Sequence, residues 1–346
     1  MIRDVRGKQN LTDKPSNIAP TSRAAQVLGG ELSERALTRY LRGLPAVDTI
    51  GAAQRAQHFQ SRSIKTASKR QGLDLAVSMV DLTTLEGADT PGKVRTLARK
   101  AVHTDPTDPL APRVAAVCVY GDMVGEVIDA LGAHHVSKDP TGVSVAAVAT
   151  AFPSGRASLR VKLQDTEDAV AQGADEIDMV IDRGAFLAGR WGEVFDQIVQ
   201  VKAACTRRDG TSAHLKVILE TGELKTLDAV RRASHLAILA GADFIKTSTG
   251  KVAPAATLPV SVVMLEAVRD WYRHTGEMVG FKPAGGIRTA KDALRYLVAV
   301  AEIAGEQWLD PKLFRFGASS LLNDLVLQRQ KMATGHYSGP NYVSVD

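Results

Sequence analysis

Cysteine is almost missing from this 346-residue chain: there are two, Cys118 and Cys205, far apart and with no CxxC pair. That excludes a disulfide framework and a cysteine-built zinc site, and suits a reducing compartment such as the cytoplasm. No apolar run approaches the roughly 18 residues expected of a membrane span. No glycine-rich dinucleotide fingerprint appears. His103, His134 and His135 lack ligand spacing on one helix face, so each reads as a surface histidine and no metal site is expected. The opening "MIRDVRGKQN" has no apolar stretch of the kind a secretory signal carries. Being Arg-rich and poor in acid, it leaves organelle targeting open beside the cytoplasm.

What is present is ordinary for a folded protein, with 45% hydrophobic and 23% charged residues. The net charge of +5 invites a nucleic-acid reading, but its distribution argues against one. The first 72 residues hold 13 basic and 5 acidic side chains, leaving 30 and 33 for the rest. The excess lies in an amino-terminal extension, where a solvated helical surface is the plainer reading. Neither nucleic acid nor membrane is expected as a partner.

Three segments follow from composition and periodicity. Residues 1–72 form an extension: residues 1–20 read as mobile, and a helical pattern runs from about Ser33 to Lys69. Leu37, Tyr40, Leu41 and Leu44 share one face, Pro45 ends that helix, and a second starts near Asp48 with Ile50, Ala53 and Ala56 as contacts. Residues 73–325 form the main domain. Residues 326–346 read as a tail, with ordinary disorder favoured at its end.

In the main domain, short β-branched runs alternate with amphipathic stretches. The runs are "LAVSMVDLT", "VAAVCVY", "VSVAAVAT", "EIDMVI", "LKVILE", "DFIKTS", "MVGFKP" and "FRFGAS". Eight such units, about 30 to 40 residues apart, match a parallel (β/α)8 barrel behind a helical extension. A doubly wound open sheet would ordinarily carry a glycine-rich loop after its first strand, and "MVDLTTLEGADT" has none.

A barrel directs attention to the carboxyl ends of its strands. With Lys246 facing inward, side-chain alternation also turns Lys216 and Asp178 inward. Lys282 ends the seventh run, Asp81 and Thr83 the first, and Cys118 lies on the second. One such charge alone would suit an internal ion pair. Several converging on one mouth suggest chemistry, because buried charge is costly unless paired.

A free lysine has a pKa near 10.4, and lowering it by roughly 3 units takes about 4 kcal/mol. Burial and a neighbouring cation both act in that direction. Lys246 is therefore a candidate nucleophile, with Lys282 as the second cation and Asp178 as a proton carrier, directly or through water.

The turns "TSTGK", "KPAGGIRT" and "FGASS" offer backbone N–H groups and hydroxyls to an anion. Gly285, Gly286, Ser319 and Ser320 suit a phosphate. A carbonyl at the lysine and a phosphate beyond it describe a small phosphorylated sugar.

These residues lie in strings that resemble the class I deoxyribose-phosphate aldolases. The resemblance covers about residues 75–322. It is carried by "VDLTTL", "AAVCVY", "AFPSG", "GADEIDMVI", "LKVILETGELK", "GADFIKTSTGK", "GFKPAGGIRTAKDA" and "RFGASSLL". It implies reversible cleavage of 2-deoxy-D-ribose 5-phosphate to acetaldehyde and glyceraldehyde 3-phosphate without a cofactor, in deoxynucleoside catabolism. Lys246 matches the Schiff-base lysine, Lys282 the lysine that lowers its pKa, and Asp178 the proton-transfer aspartate. Asp81 and Thr83 match positions near the substrate hydroxyls. Lys216, Cys118 and Thr249 are further expected substrate contacts, although barrel packing also accounts for Cys118. Gly250, Lys251, Gly285, Gly286, Ser319 and Ser320 match the phosphate end.

The extension makes the chain look like the longer type of that family. Some members end in a tyrosine that assists proton transfer; Tyr337 and Tyr342 both compete for that assignment, and neither is the last residue. Members are often homodimers, which the extension could either build or block. Two other readings stand beside this one: another Schiff-base phosphosugar lyase or transferase, and a phosphosugar-binding barrel without catalysis. The second predicts loss of Lys246, Lys282 or Asp178, all of which are present.

Overall fold

A computed structural model describes residues 17–62 and 66–336. Four helices precede the first strand: α1 (Ser22–Leu28), α2 (Glu34–Gly43), α3 (Thr49–Ser61) and α4 (Thr66–Ser78). Each of the first three starts at a polar cap. Thr21, Ser33 and Asp48 accept backbone N–H groups of the first turn.

The eight strands are β1 (Val80–Thr83), β2 (Ala116–Tyr120), β3 (Ser144–Ala149), β4 (Glu176–Val180), β5 (His214–Ile218), β6 (Phe244–Lys246), β7 (Gly280–Lys282) and β8 (Phe316–Ala318). Between and after them run α5 (Pro91–Val102), α6 (Val124–Leu131), α7 (Leu159–Ala171), α8 (Arg183–Leu187), α9 (Trp191–Ala204), α10 (Leu227–Leu239), α11 (Leu258–Thr275), α12 (Ala290–Ile303) and α13 (Leu321–Thr334).

All strand pairs are parallel, in the order β7-β6-β5-β4-β3-β2-β1-β8. Parallel bridges at Phe281–Phe314 and Ala284–Gly317 bring β7 to β8 and nearly close the barrel. The expected (β/α)8 architecture is therefore present, with helices ahead of it.

Alternation along the strands separates two packing layers. Val117, Val119, Val145, Ala147, Ile177, Met179, Val217 and Ile245 point outward into the large core shared with the helices. Cys118, Ala146 and Val148 form a small separate cluster inside with Leu85. The inward positions of β4 to β7 carry charge instead.

Four expectations need correction. The run from Leu75 is not one strand. Leu73, Ala76 and Val77 lie on the buried face of α4, and the strand begins only at Val80. An unbroken apolar run fits a buried helix as well as a strand, and here packing selects the helix.

In α3, Ile50 is 72% exposed and Ala53 is also exposed; Ala52, Ala56 and Phe59 make the contacts. Packing against α11 and α12 selects the face that this helix buries. Residues 1–16 lie outside the described residues, but Asn17–Pro20 is pinned: Ile18 is buried, and Ala19 donates its N–H to Asp196 at 2.7 Å. Finally, α13 runs through the expected tail boundary, with Val326, Arg329 and Gln330 buried.

The extension is fastened to the barrel. The Tyr40 hydroxyl lies 3.0 Å from His235 Nδ1, and Val47 donates its N–H to Asp228 at 2.7 Å. Three of its basic residues pair with acids of the barrel: Arg23 with Glu277, Arg55 with Glu266 and Arg62 with Glu302. At these three points acids of the barrel offset part of the positive excess read from the sequence.

Leu41 on α2 is completely buried in the shared core. Leu41→Ala is expected to lower unfolding stability by about 2–5 kcal/mol. Denaturant unfolding followed by a barrel signal checks this; an unchanged midpoint would mean that the extension folds independently.

Candidate active site

The register of β4 to β7 decides what stands beside what. Asp178 faces Lys216, Lys216 faces Phe244, Ile218 faces Lys246, and Lys246 faces Lys282. Lys216 therefore sits one pleat deeper than Lys246.

Asp178 is the centre of the group. Its Oδ2 accepts hydrogen bonds from Lys246 Nζ at 2.7 Å and from Lys282 Nζ at 2.8 Å. Its Oδ1 accepts from Lys216 Nζ at 3.2 Å. Lys282 also meets Asp81 Oδ2 at 2.5 Å. Beneath them, Lys216 bonds Glu176. Arg315 spans Asp81 Oδ1 at 2.6 Å and Glu176 Oε1 at 2.8 Å.

Seven ionisable groups are thus buried together: Asp81, Glu176, Asp178, Lys216, Lys246, Lys282 and Arg315. Three are acids and four are bases, so full ionisation leaves one unbalanced positive charge in a dry interior. One base is disfavoured as a cation, and it is Lys246. Burial lowers its pKa and the charge of Lys282 adds to that, against the pull of Asp178.

The other groups stay charged. Burial opposes ionisation of Lys282, but Asp178 and Asp81 outweigh it and hold its pKa above the ordinary value. Lys216 is likewise raised against burial by Asp178, Glu176 and Asp81. Burial would push Asp178 up, yet three lysines hold it well below the usual carboxylate range. The Cys118 thiol is pushed up by burial and then by Asp178, so it stays protonated.

Above this floor opens a cleft of about 390 Å³. Of the three lysines, only Lys246 keeps any exposure, 3%, and it lines the cleft. Thr83, Thr249, Gly250, Lys251, Gly285, Gly286, Ser319 and Ser320 line it too. Gly285 and Gly286 take φ of +76° and +82°, which a side chain would resist.

Asp178, Lys282, Asp81, Cys118 and Lys216 lie below the cleft instead of lining it. Lys216, Asp81 and Cys118, read from the sequence as substrate contacts, stand on the floor beneath that lining. The Thr249 hydroxyl donates to Glu220 at 2.5 Å. Lys251 stands at the rim, 2.8 Å from Glu86. A larger hollow of about 680 Å³ lies outside the barrel by Phe59, Lys69, Lys291 and Gln328, and none of the converging charges reaches it.

Sequence reasoning missed Glu176 and Arg315. Glu176 is two residues before Asp178, so strand alternation alone places it on the same face. Arg315 precedes β8, and only barrel closure brings it to Asp81 and Glu176. His135 is no surface histidine; it is buried, with Nε2 2.8 Å from Asp175 and Nδ1 2.7 Å from Ser137. Tyr337 and Tyr342 lie outside the described residues. Among the described residues no group of three or more His, Cys, Asp or Glu could hold a metal, and no helix is long and apolar enough to cross a membrane.

Charged groups gathered at the carboxyl ends of a parallel barrel, beneath a cleft of small residues, mark a (β/α)8 enzyme. Comparison with known proteins specifies the class. A family profile described as DeoC/LacD family aldolase matches residues 75–326. A mouse protein named deoxyribose-phosphate aldolase is 45% identical over 84% of this chain and 92% of its own length. A human protein of the same name is 44% identical over 82% and 89%. A solved Aeropyrum pernix deoxyribose phosphate aldolase, described as tetrameric, superposes with a TM-score of 0.54 at 23% identity, over 78% of this chain and 98% of that one. The chain belongs to the DeoC/LacD aldolase family and is a carbon–carbon lyase.

The depressed carboxylates set an acid limit. As pH falls through about 4, an unfolded chain takes up protons on its acids while folded Asp81, Glu176 and Asp178 do not. Their contribution is full above that range and is lost as pH falls through the folded values. Urea midpoints are expected to drop steeply below about pH 4; a flat profile down to pH 2 would contradict the charged cluster.

Proposed function

We propose that this chain catalyses the reversible aldol cleavage of 2-deoxy-D-ribose 5-phosphate to acetaldehyde and D-glyceraldehyde 3-phosphate through an imine on Lys246. The observation that carries the reading is the nearly buried Lys246 amine, 2.7 Å from Asp178, lining a cleft that continues to Gly285, Gly286, Ser319 and Ser320. The strong likeness to relatives named for this reaction supports the choice of substrate.

In this reading the neutral amine attacks C1 of the open-chain sugar. The carbinolamine loses water to become an iminium. The C3 hydroxyl then gives up its proton, the C2–C3 bond breaks, and its electron pair moves into the enamine as glyceraldehyde 3-phosphate leaves. Protonation of the enamine at C2 and hydrolysis return acetaldehyde and free Lys246, using back the water released earlier.

Asp178 carries protons in these steps, directly or through one water, because its Oδ2 already bonds the reacting amine. Lys282 stays charged and keeps Lys246 neutral. The turns after β6, β7 and β8 hold the phosphate, with Lys251 as its rim cation. Thr83 lies beside the sugar hydroxyls. The setting is the breakdown of deoxynucleosides in the cytoplasm.

Borohydride added with deoxyribose 5-phosphate is expected to fix a reduced adduct on Lys246, located by mass spectrometry. An adduct on another lysine, or none from an active preparation, would sink the mechanism. Lys246→Arg keeps charge and loses the nucleophile, so turnover should fall by roughly a thousandfold or more with the fold intact.

Lys282→Leu removes the cation that disfavours charge on Lys246 and frees Asp178 to favour it. Both effects raise the pKa of Lys246. The acid limb of the kcat/KM profile should therefore move to higher pH; an unmoved limb would count against the tuning role.

A further inference from the structure

Glu220 is buried, faces no cleft, and has no part in the steps above. It follows β5 with φ of +53°, in the left-handed region that non-glycine residues seldom occupy. Among the described residues no ion pair neutralises it. Burial pushes its carboxyl above the ordinary value, against the hydrogen bonds from Thr249. A buried, strained, unpaired carboxyl is an expensive way to fill space.

The hydrogen bonds of its carboxylate all lead to one turn. The carboxylate accepts the Thr249 hydroxyl at 2.5 Å and the Thr249 N–H at 3.3 Å. Thr249 Oγ1 in turn accepts the Lys251 N–H at 3.1 Å. Next to Glu220, Thr221 donates its N–H to the Thr247 carbonyl at 2.9 Å. Two residues on, a Cβ on Gly222 would stand 2.2 Å from the Pro254 carbonyl oxygen, so only glycine allows that approach. Residues 220–222 therefore brace the loop after β6 at both ends, and Glu220 fixes the part that presents Gly250 and Lys251 to the cleft.

We propose that Glu220 is a positioning residue, which acts through Thr249 to hold the Gly250–Lys251 turn in place for the phosphoryl group of the substrate. This rests on the functional reading above. The deformation it prevents would harm phosphate binding and leave the chemistry at Lys246 untouched. Thr249 is then a tether between acid and turn instead of a direct ligand.

The test compares a probe that carries phosphate with one that does not. Glu220→Ala should raise KM for deoxyribose 5-phosphate about tenfold, as expected for a lost hydrogen bond to a charged group, with kcat little changed. The rate at which acetaldehyde and borohydride label Lys246 should stay at the wild-type value. Glu220→Gln keeps an acceptor oxygen and should restore most of the KM.

Equal loss with both probes, or an unchanged KM, would overturn the proposal. If Glu220→Ala does not fold, Glu220→Asp, which keeps the charge and draws the acceptor back from Thr249, should give the same phosphate-selective loss; loss with both probes there would overturn it equally. Failure of the wild-type protein to cleave deoxyribose 5-phosphate would instead remove the functional reading itself.

Discussion

One carboxylate oxygen, Asp178 Oδ2, accepts hydrogen bonds from two lysines of different character. Lys246 is disfavoured as a cation and Lys282 is favoured. The difference comes from what stands behind each. Lys282 has Asp81 as a second acid, and Lys246 has none. Asp81 and Glu176 are in turn held ionised by Arg315. The uneven count of four bases against three acids then leaves a single amine where loss of a proton relieves the cluster. A lower local dielectric magnifies each of these terms. The lowered pKa of Lys246 is in this sense a property of all seven groups.

The barrel supplies the geometry that this balance requires. Register fixes Lys246 beside Lys282 and sets Lys216 one pleat lower. Three-residue strands at β6, β7 and β8 end where their chemistry begins, so the turns that follow can line the cleft with glycines and hydroxyls. The apolar layer facing the helices carries the packing, and the inner layer is released from it.

Much of this was legible in the amino-acid order. Continuous apolar runs between helical patterns disclosed the parallel barrel, and the polar residues ending them disclosed Lys246, Lys282 and Asp178. Depth was harder to read. Lys216, Asp81 and Cys118 share the inward face, but period-two alternation does not tell floor from rim. Glu176 was open to the same alternation argument as Asp178. Arg315 was not, because its partners come from strands far away in the chain. The contact face of α3 depended on its packing against α11 and α12, which buries Ala52, Ala56 and Phe59 and leaves Ile50 and Ala53 outside. Glu220 is in step with Lys216 and Ile218, but the φ of +53° at which it bonds Thr249 leaves no mark in the pattern.

A single residue, Met79, separates α4 from β1, and Asp81 follows two positions later. Helix α4 packs on α12 and α13, while Asp81 receives Lys282 and Arg315. The chain has no slack at this joint. Helix α4 is consequently no detachable module hung on a finished barrel: a shortened enzyme cut within it would leave β1 without its anchor and would loosen the aspartate at the base of the charge cluster.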